Sequence, residues 1–137
     1  MKPKRIQLIS RIYVWFSAIS LLTVSLMAFV NPQAVMDLVQ VKLSNTDAFS
    51  SIRGVYGGVG ITIFVWLLYT LKKNVQESLS FLSLFWGLYA ASRLVTLLVE
   101  GPLGDFGNQW LGIETVFCAI AILLLTLNKR LTIYQKL

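Results

Sequence analysis

Three ionisable residues stand inside strongly apolar segments of this sequence, and they are the residues best suited to chemistry. They are Arg53, Arg93 and Glu114. Ionisable groups in such segments are costly to bury, so they usually pair with one another or mark a functional path. A guanidinium presents a planar fork that matches a carboxylate or a phosphate. The pattern therefore predicts an intramembrane site for an anionic group.

The three charges lie on stripes of aromatic and small residues that recur at helical spacing. The stripes hold Tyr56, Gly57 and Gly60 with Arg53, then Trp86, Tyr89 and Glu100 with Arg93, and Trp110 with Glu114. With a rise of about 1.5 Å per residue, each charge sits roughly 9–10 Å below the same membrane surface. These positions predict one polar, aromatic-lined chamber that opens to the outside.

Two interpretations of these charges stay open. In the first, Glu114 forms a buried ion pair with Arg93 or Arg53 that only fixes the order of the helices. In the second, an anionic group of a ligand or lipid completes the site, because two guanidiniums face one intramembrane carboxylate. Glu100 or Asp47 is able to neutralise the second arginine, but both lie nearer to water.

The residue inventory disfavours metal, haem and hydrolytic chemistry. The chain has no histidine and a single cysteine, Cys118, so it lacks the commonest metal ligand and cannot form an intramolecular disulfide. No serine or cysteine has a recognisable base. We therefore predict no catalytic residue, no metal site and no cofactor, and we expect a binding protein rather than an enzyme.

Four apolar segments must position these side chains. Of the 137 residues 56% are hydrophobic, and the mean hydropathy is +0.72, whereas soluble domains contain about 45–50% apolar residues. Each segment is long enough as a helix to cross roughly 30 Å of hydrocarbon. The predicted spans are residues 12–30, 47–71, 78–99 and 108–128. We predict a single all-α domain over residues 1–137, an integral membrane four-helix bundle with antiparallel, up-and-down spans.

The first span also has features of a signal peptide, because basic residues precede it. Its apolar run is longer than the roughly 7–15 residues of a signal core, and Leu26 stands where a cleavage site needs a small residue. We therefore interpret it as a transmembrane helix.

The basic residues that flank the spans predict the orientation. One side of the membrane carries nine of them, and the loops of the other side carry only Lys42. Under the positive-inside rule both termini are cytoplasmic. The net charge of +6 is then a topology signal, and no nucleic-acid partner is expected. The nine are Lys2, Lys4, Arg5, Arg11, Lys72, Lys73, Lys129, Arg130 and Lys136.

The first outward loop, residues 31–46, carries apolar residues spaced among polar ones. They are Met36, Leu38, Val39 and Leu43. This spacing predicts a short amphipathic helix that lies in the membrane interface.

Four glycines near the start of the second span predict close helix packing. Gly54 and Gly58 match the small-xxx-small contact pattern, and Gly57 and Gly60 accompany them. Packing within the bundle and a seam between two copies both agree with this pattern, so a homo-oligomer is one predicted partner state.

Three motifs together resemble a bacterial family of small four-helix membrane proteins, domain of unknown function 4345, and more distantly the DoxX-type membrane proteins. The motifs are Ser51-Ile52-Arg53-Gly54-Val55-Tyr56-Gly57-Gly58, Ser92-Arg93-Leu94-Val95 with Glu100-Gly101-Pro102, and Gly112-Ile113-Glu114. The resemblance covers about residues 10–128. It implies the four-helix architecture and a bacterial inner membrane, marks Arg53, Gly57, Arg93 and Glu114 as motif positions, and implies no reaction. At Glu100 the family is expected to have Asp as often as Glu.

Three functions follow as hypotheses. In the first, Arg53 and Arg93 hold an anionic or lipid-like small molecule or a membrane lipid, and Glu114 orients them. In the second, the DoxX-like resemblance implies a redox or quinone-linked accessory enzyme. In the third, the chain is a structural partner that docks other membrane proteins through its glycine-rich face.

Overall fold

The structure is a computed structural model that describes residues 3–134, and this part of the chain is helical with no strand. Lys2 and Lys136, two of the nine flanking basic residues, lie outside it. The helices are α1 (Pro3–Val30), α2 (Pro32–Asp37), α3 (Thr46–Lys73), α4 (Val75–Val99) and α5 (Asp105–Tyr134). The predicted all-α class is confirmed.

Four of these helices, α1, α3, α4 and α5, are long and apolar enough to cross a membrane. Each contains one of the four predicted spans and extends beyond it into polar flanks. Large apolar side chains on these helices remain exposed, and Leu98 is 83% exposed. Such surfaces require lipid as their solvent, so the chain is a multi-pass membrane protein.

The helix ends follow from local sequence chemistry. Asn45 caps α3, since its side chain accepts a hydrogen bond from the Ala48 amide at 2.8 Å. Asn74 caps α4 in the same way, with the Gln76 amide as donor at 3.0 Å. After α4 the chain turns at Gly101, whose φ of +108° is a conformation that favours glycine.

Helix α3 is not α-helical throughout. It is π-helical over Arg53–Gly58, between α-helical stretches at Thr46–Ile52 and Val59–Lys73. Such wide turns are rare and occur often at functional sites. No sequence rule predicted this one.

The chain divides into two compact units. Within residues 3–134, the first unit contains the start of α1, up to Val14, together with residues 73–134, and the second contains Trp15–Lys72. In the first unit α4 packs along α5. The two helices are antiparallel, because hydrogen bonds join Gln76 at the start of α4 to Asn128 late in α5, and Arg93 near the end of α4 to Glu114 earlier in α5.

The second unit contains a small apolar core that includes α2. Ala28, Val35 and Met36 are buried there, and Leu43 and Ile52 pack against them. The interfacial helix expected in this loop therefore differs from the structure. Helix α2 ends at Asp37, before the Leu38 and Val39 that the prediction included, and Met36 points into protein instead of lipid.

The reason is the side chain of Gln33, which was not among the residues predicted to shape this loop. The Gln33 amide group donates to the Asp37 carboxylate at 2.6 Å and to the Val41 carbonyl at 2.9 Å, and its oxygen accepts from the Leu43 amide at 2.9 Å. These bonds fold the chain back on α2, with Gln40 at a φ of +58°. The segment after α2 is therefore a compact turn.

Candidate functional site

Arg93 and Glu114 form a two-pronged ion pair between α4 and α5. Arg93 Nε donates to Glu114 Oε2 at 2.8 Å, and Arg93 Nη2 donates to Glu114 Oε1 at 2.9 Å. The Glu114 side chain is 2% exposed and that of Arg93 is 22% exposed. Parallel charge-assisted bonds of this kind are among the stronger ones in proteins. Of the two arginines predicted to pair with Glu114, Arg93 does so.

An aromatic side chain covers this pair. The Phe106 ring centroid lies 5.9 Å from Arg93 Cζ, and the Phe106 and Trp110 rings are 6.0 Å apart. Trp110, a predicted site residue, thus reaches the charges through Phe106. Phe106 was not among the predicted site residues, although its position four residues before Trp110 and eight before Glu114 places it on the same helical face.

Trp86 and Tyr89, two further predicted site residues, belong to an aromatic cluster. The Trp86 ring meets the Phe117 ring edge-on at 5.1 Å, and the Phe85 ring lies 5.1 Å from Trp86 and 4.8 Å from Tyr89. Tyr13 joins the cluster from α1, and its hydroxyl donates to the Phe117 carbonyl at 2.8 Å. This cluster holds α1, α4 and α5 together.

One polar atom in the cluster is unsatisfied. Trp86 is 5% exposed, and its Nε1 has no hydrogen-bond acceptor among the described residues. A buried donor without an acceptor costs about 1–3 kcal/mol.

Glu100 does not take part in the Arg93 pair. It lies exposed just after α4, its backbone amide donates to the Thr96 carbonyl at 2.8 Å, and it forms no ion pair with any residue in the described part of the chain. Its predicted role at the site therefore has no contact that supports it.

Arg53 lies in the second unit, at the start of the π-helical turn of α3. Its Nε donates to the Phe29 carbonyl of α1 at 2.8 Å. No carboxylate of this unit, over residues 15–72, stands within 4.0 Å of its guanidinium. Tyr56, which follows in the same turn, is 37% exposed. The guanidinium is therefore anchored along one edge by a neutral acceptor, and no carboxylate of its unit pairs with it.

Two glycines of α3 allow α1 to approach closely. A Cβ at Gly57 would stand 3.0 Å from backbone and side-chain atoms of Phe29, and a Cβ at Gly60 would collide with the Ser25 hydroxyl. The Phe29 whose carbonyl holds Arg53 is thus positioned by Gly57.

The other two predicted packing glycines have different surroundings. A Cβ at Gly54 or Gly58 would meet no neighbouring atom within 4 Å. The close contact expected at the Gly54 and Gly58 pair is made instead by Gly57 and Gly60, which lie on the same stripe of α3 as Arg53 and contact α1 together with it.

Cys118 is a packing residue of α5. Its thiol is half-buried, and Sγ donates to the Ser83 carbonyl of α4 at 3.4 Å. Over residues 3–134 no group of three or more His, Cys, Asp or Glu is arranged to hold a metal ion.

Over residues 3–134 the protein is helical, with four helices of membrane-spanning length and an arginine–glutamate pair between two of them. These features are those of a small multi-pass membrane protein. A family model described as a domain of unknown function, DUF4345, matches residues 9–125, and the chain belongs to this family. Among curated proteins and solved structures, none matches the chain.

Proposed function

We propose that this membrane protein binds an anionic group of a lipid-like ligand through the guanidinium of Arg53. The observation that carries the proposal is the charge of Arg53, which no carboxylate of its own unit neutralises. A charge at partial depth in a membrane is costly, and it is normally compensated by a partner. A bound anion supplies that partner.

The anchoring of Arg53 supports this function. Because the Phe29 carbonyl holds Nε at 2.8 Å, the guanidinium is oriented before any ligand arrives. The two Nη groups at its far end are the donors suited to a carboxylate or phosphate. A preoriented side chain loses less conformational freedom on binding, which raises affinity.

Arg93 has a different role in this proposal. Its Nε and Nη2 both donate to the Glu114 carboxylate, so its charge is already compensated. We assign the Arg93 and Glu114 pair to holding α4 against α5, and we assign ligand recognition to Arg53, with Tyr56 as a neighbouring hydroxyl and ring.

The proposed location is a bacterial inner membrane with both termini in the cytoplasm. The support for it is the excess of Lys and Arg on one side of the four spans. Reporter fusions after Leu137 and within residues 101–107 should give opposite signals. The same signal from both positions would refute the orientation.

Thermal melts test the ligand site. We expect an anionic lipid such as phosphatidylglycerol, added to protein in detergent, to raise the melting temperature of the wild type. Arg53→Lys keeps the charge but loses the planar fork, so it should reduce this rise while the unliganded protein stays folded. Arg130→Lys, the same change at an exposed residue of α5, is the matched control. An equal lipid response in both variants would refute the role of Arg53.

A further inference from the structure

A polar cavity of about 250 Å³ lies within the unit that combines the start of α1 with α4 and α5. It is separate in sequence from Arg53 and from the Arg93 and Glu114 pair. Its lining residues are Gln7 and Arg11 of α1, Lys73, Asn74, Val75 and Gln76 at the junction of α3 and α4, and Asn128 and Leu131 of α5.

Buried polar contacts hold the walls of this cavity in place. Asn128 is 4% exposed, and its Nδ2 donates to Ser10 Oγ and to the Leu124 carbonyl, both at 2.8 Å. Gln76 Nε2 donates to the Asn128 carbonyl at 3.4 Å. These bonds join α1, α4 and α5. The cavity is thus formed by helices that are fixed to one another beside it.

The charges of the lining favour an anion. Arg11 and Lys73 are cationic, four other lining side chains are amides, and none of the eight lining residues is acidic. Glu77, the nearest acidic residue along the chain, is exposed on the first turn of α4 and does not line the cavity. An arginine fork, a lysine point charge and amide donors together match the several oxygens of a phosphate.

The size of the cavity limits what enters it. Sites that enclose a drug-sized molecule have volumes of roughly 300–1,000 Å³, and this cavity is smaller. It therefore accommodates a headgroup or a free ion, while any acyl chains would remain outside along the apolar helix surfaces.

We propose that this cavity binds a phosphate group, carried by an anionic phospholipid or free in solution. Arg11 and Lys73 supply the charge, and the amides of Gln7, Asn74 and Gln76 supply neutral contacts. In the orientation proposed above, this end of the helices lies at the cytoplasmic leaflet, where anionic headgroups attract Lys and Arg. Arg11 and Lys73 belong to the basic flanks that indicate the orientation, and in this proposal they also form a binding site.

Lipid and phosphate titrations of the full chain in detergent test this proposal. The probes are phosphatidylglycerol, inorganic phosphate and, as a zwitterionic control, phosphatidylcholine, and the readout is the shift in melting temperature. We expect the double variant Arg11→Gln with Lys73→Gln to weaken the apparent affinity for the anionic probe about tenfold or more, because charge-assisted bonds are lost. Lys129→Gln with Arg130→Gln removes the same charge from exposed residues nearby and should keep the response.

The outcomes are distinct. A response to phosphatidylglycerol but not to inorganic phosphate identifies a lipid headgroup, and a response to inorganic phosphate alone identifies the free ion. An equal loss in both double variants means general attraction to the basic surface and overturns the proposal, as does an unresponsive wild type. If the cavity double variant does not fold, Arg11→Gln alone, at an exposed residue, repeats the test. Added to Arg53→Lys, the cavity double variant should lower the remaining response to phosphatidylglycerol further, so this site and the Arg53 site are tested separately.

Discussion

Removing Arg93 should destabilise the protein more than removing the charge of its partner, Glu114. In Arg93→Met the Glu114 carboxylate loses both of its bonds, and at 2% exposure it has almost no access to water. Breaking a buried pair in this way costs about 3–5 kcal/mol. In Glu114→Gln the remaining guanidinium is 22% exposed and still has an amide oxygen to contact. That loss should be smaller, about 1.5–3 kcal/mol, the value of a hydrogen bond to a charged group.

The double variant Arg93→Met with Glu114→Gln should recover most of the loss caused by Arg93→Met alone, because no uncompensated carboxylate remains. Unfolding of the purified protein in mixed micelles, followed by tryptophan fluorescence and circular dichroism, measures all three variants. Arg130→Met, at an exposed position, should change the free energy of unfolding by less than about 0.5 kcal/mol. Equal losses for the two single variants, or additive losses in the double, would refute this account of the pair.

Two further predictions concern packing. Gly60→Ala should lower the free energy of unfolding by about 1–3 kcal/mol, because its Cβ meets Ser25. Gly58→Ala, where the Cβ meets nothing, should stabilise α3 by up to about 1 kcal/mol. Equal melting temperatures of the two variants would contradict the assigned contact face. Gln33→Ala removes the three bonds that fold the chain after α2, so limited proteolysis should cut within residues 38–44 faster than in the wild type. An unchanged cleavage rate would show that other contacts hold this turn.

The apolar segments made the four membrane helices predictable from sequence. A stretch of about 20 apolar residues has few alternatives to a membrane helix, and the predicted spans all lie inside observed helices. The charge count also predicted that Glu114 would have one arginine partner and that a second guanidinium would need another. The choice of Arg93 over Arg53 was not predictable, because depth and helical face do not specify which helices are neighbours.

Two local features could not be predicted from the sequence, for a different reason. Sequence spacing assumes 3.6 residues per turn, but the π-helical turn at Arg53–Gly58 departs from that period. The contact with α1 falls on Gly57 and Gly60, which share a stripe with Arg53, and not on Gly54 and Gly58, because a small-xxx-small pattern does not specify which face of a helix meets its neighbour. The polar cavity at Arg11 and Lys73 was not predicted, because these basic residues were interpreted only as orientation signals.

The binding of an anionic ligand by Arg53 is tested most directly by a native mass spectrum of gently purified protein. We predict an added mass of an anionic lipid-like molecule on the wild type, on Arg130→Lys and on the cavity double variant Arg11→Gln with Lys73→Gln, in which only the Arg53 site remains. Adding Arg53→Lys to the cavity double variant should deplete this mass. If that triple variant retains the mass as fully as the cavity double variant, or if the cavity double variant carries no such mass, Arg53 is not a ligand site.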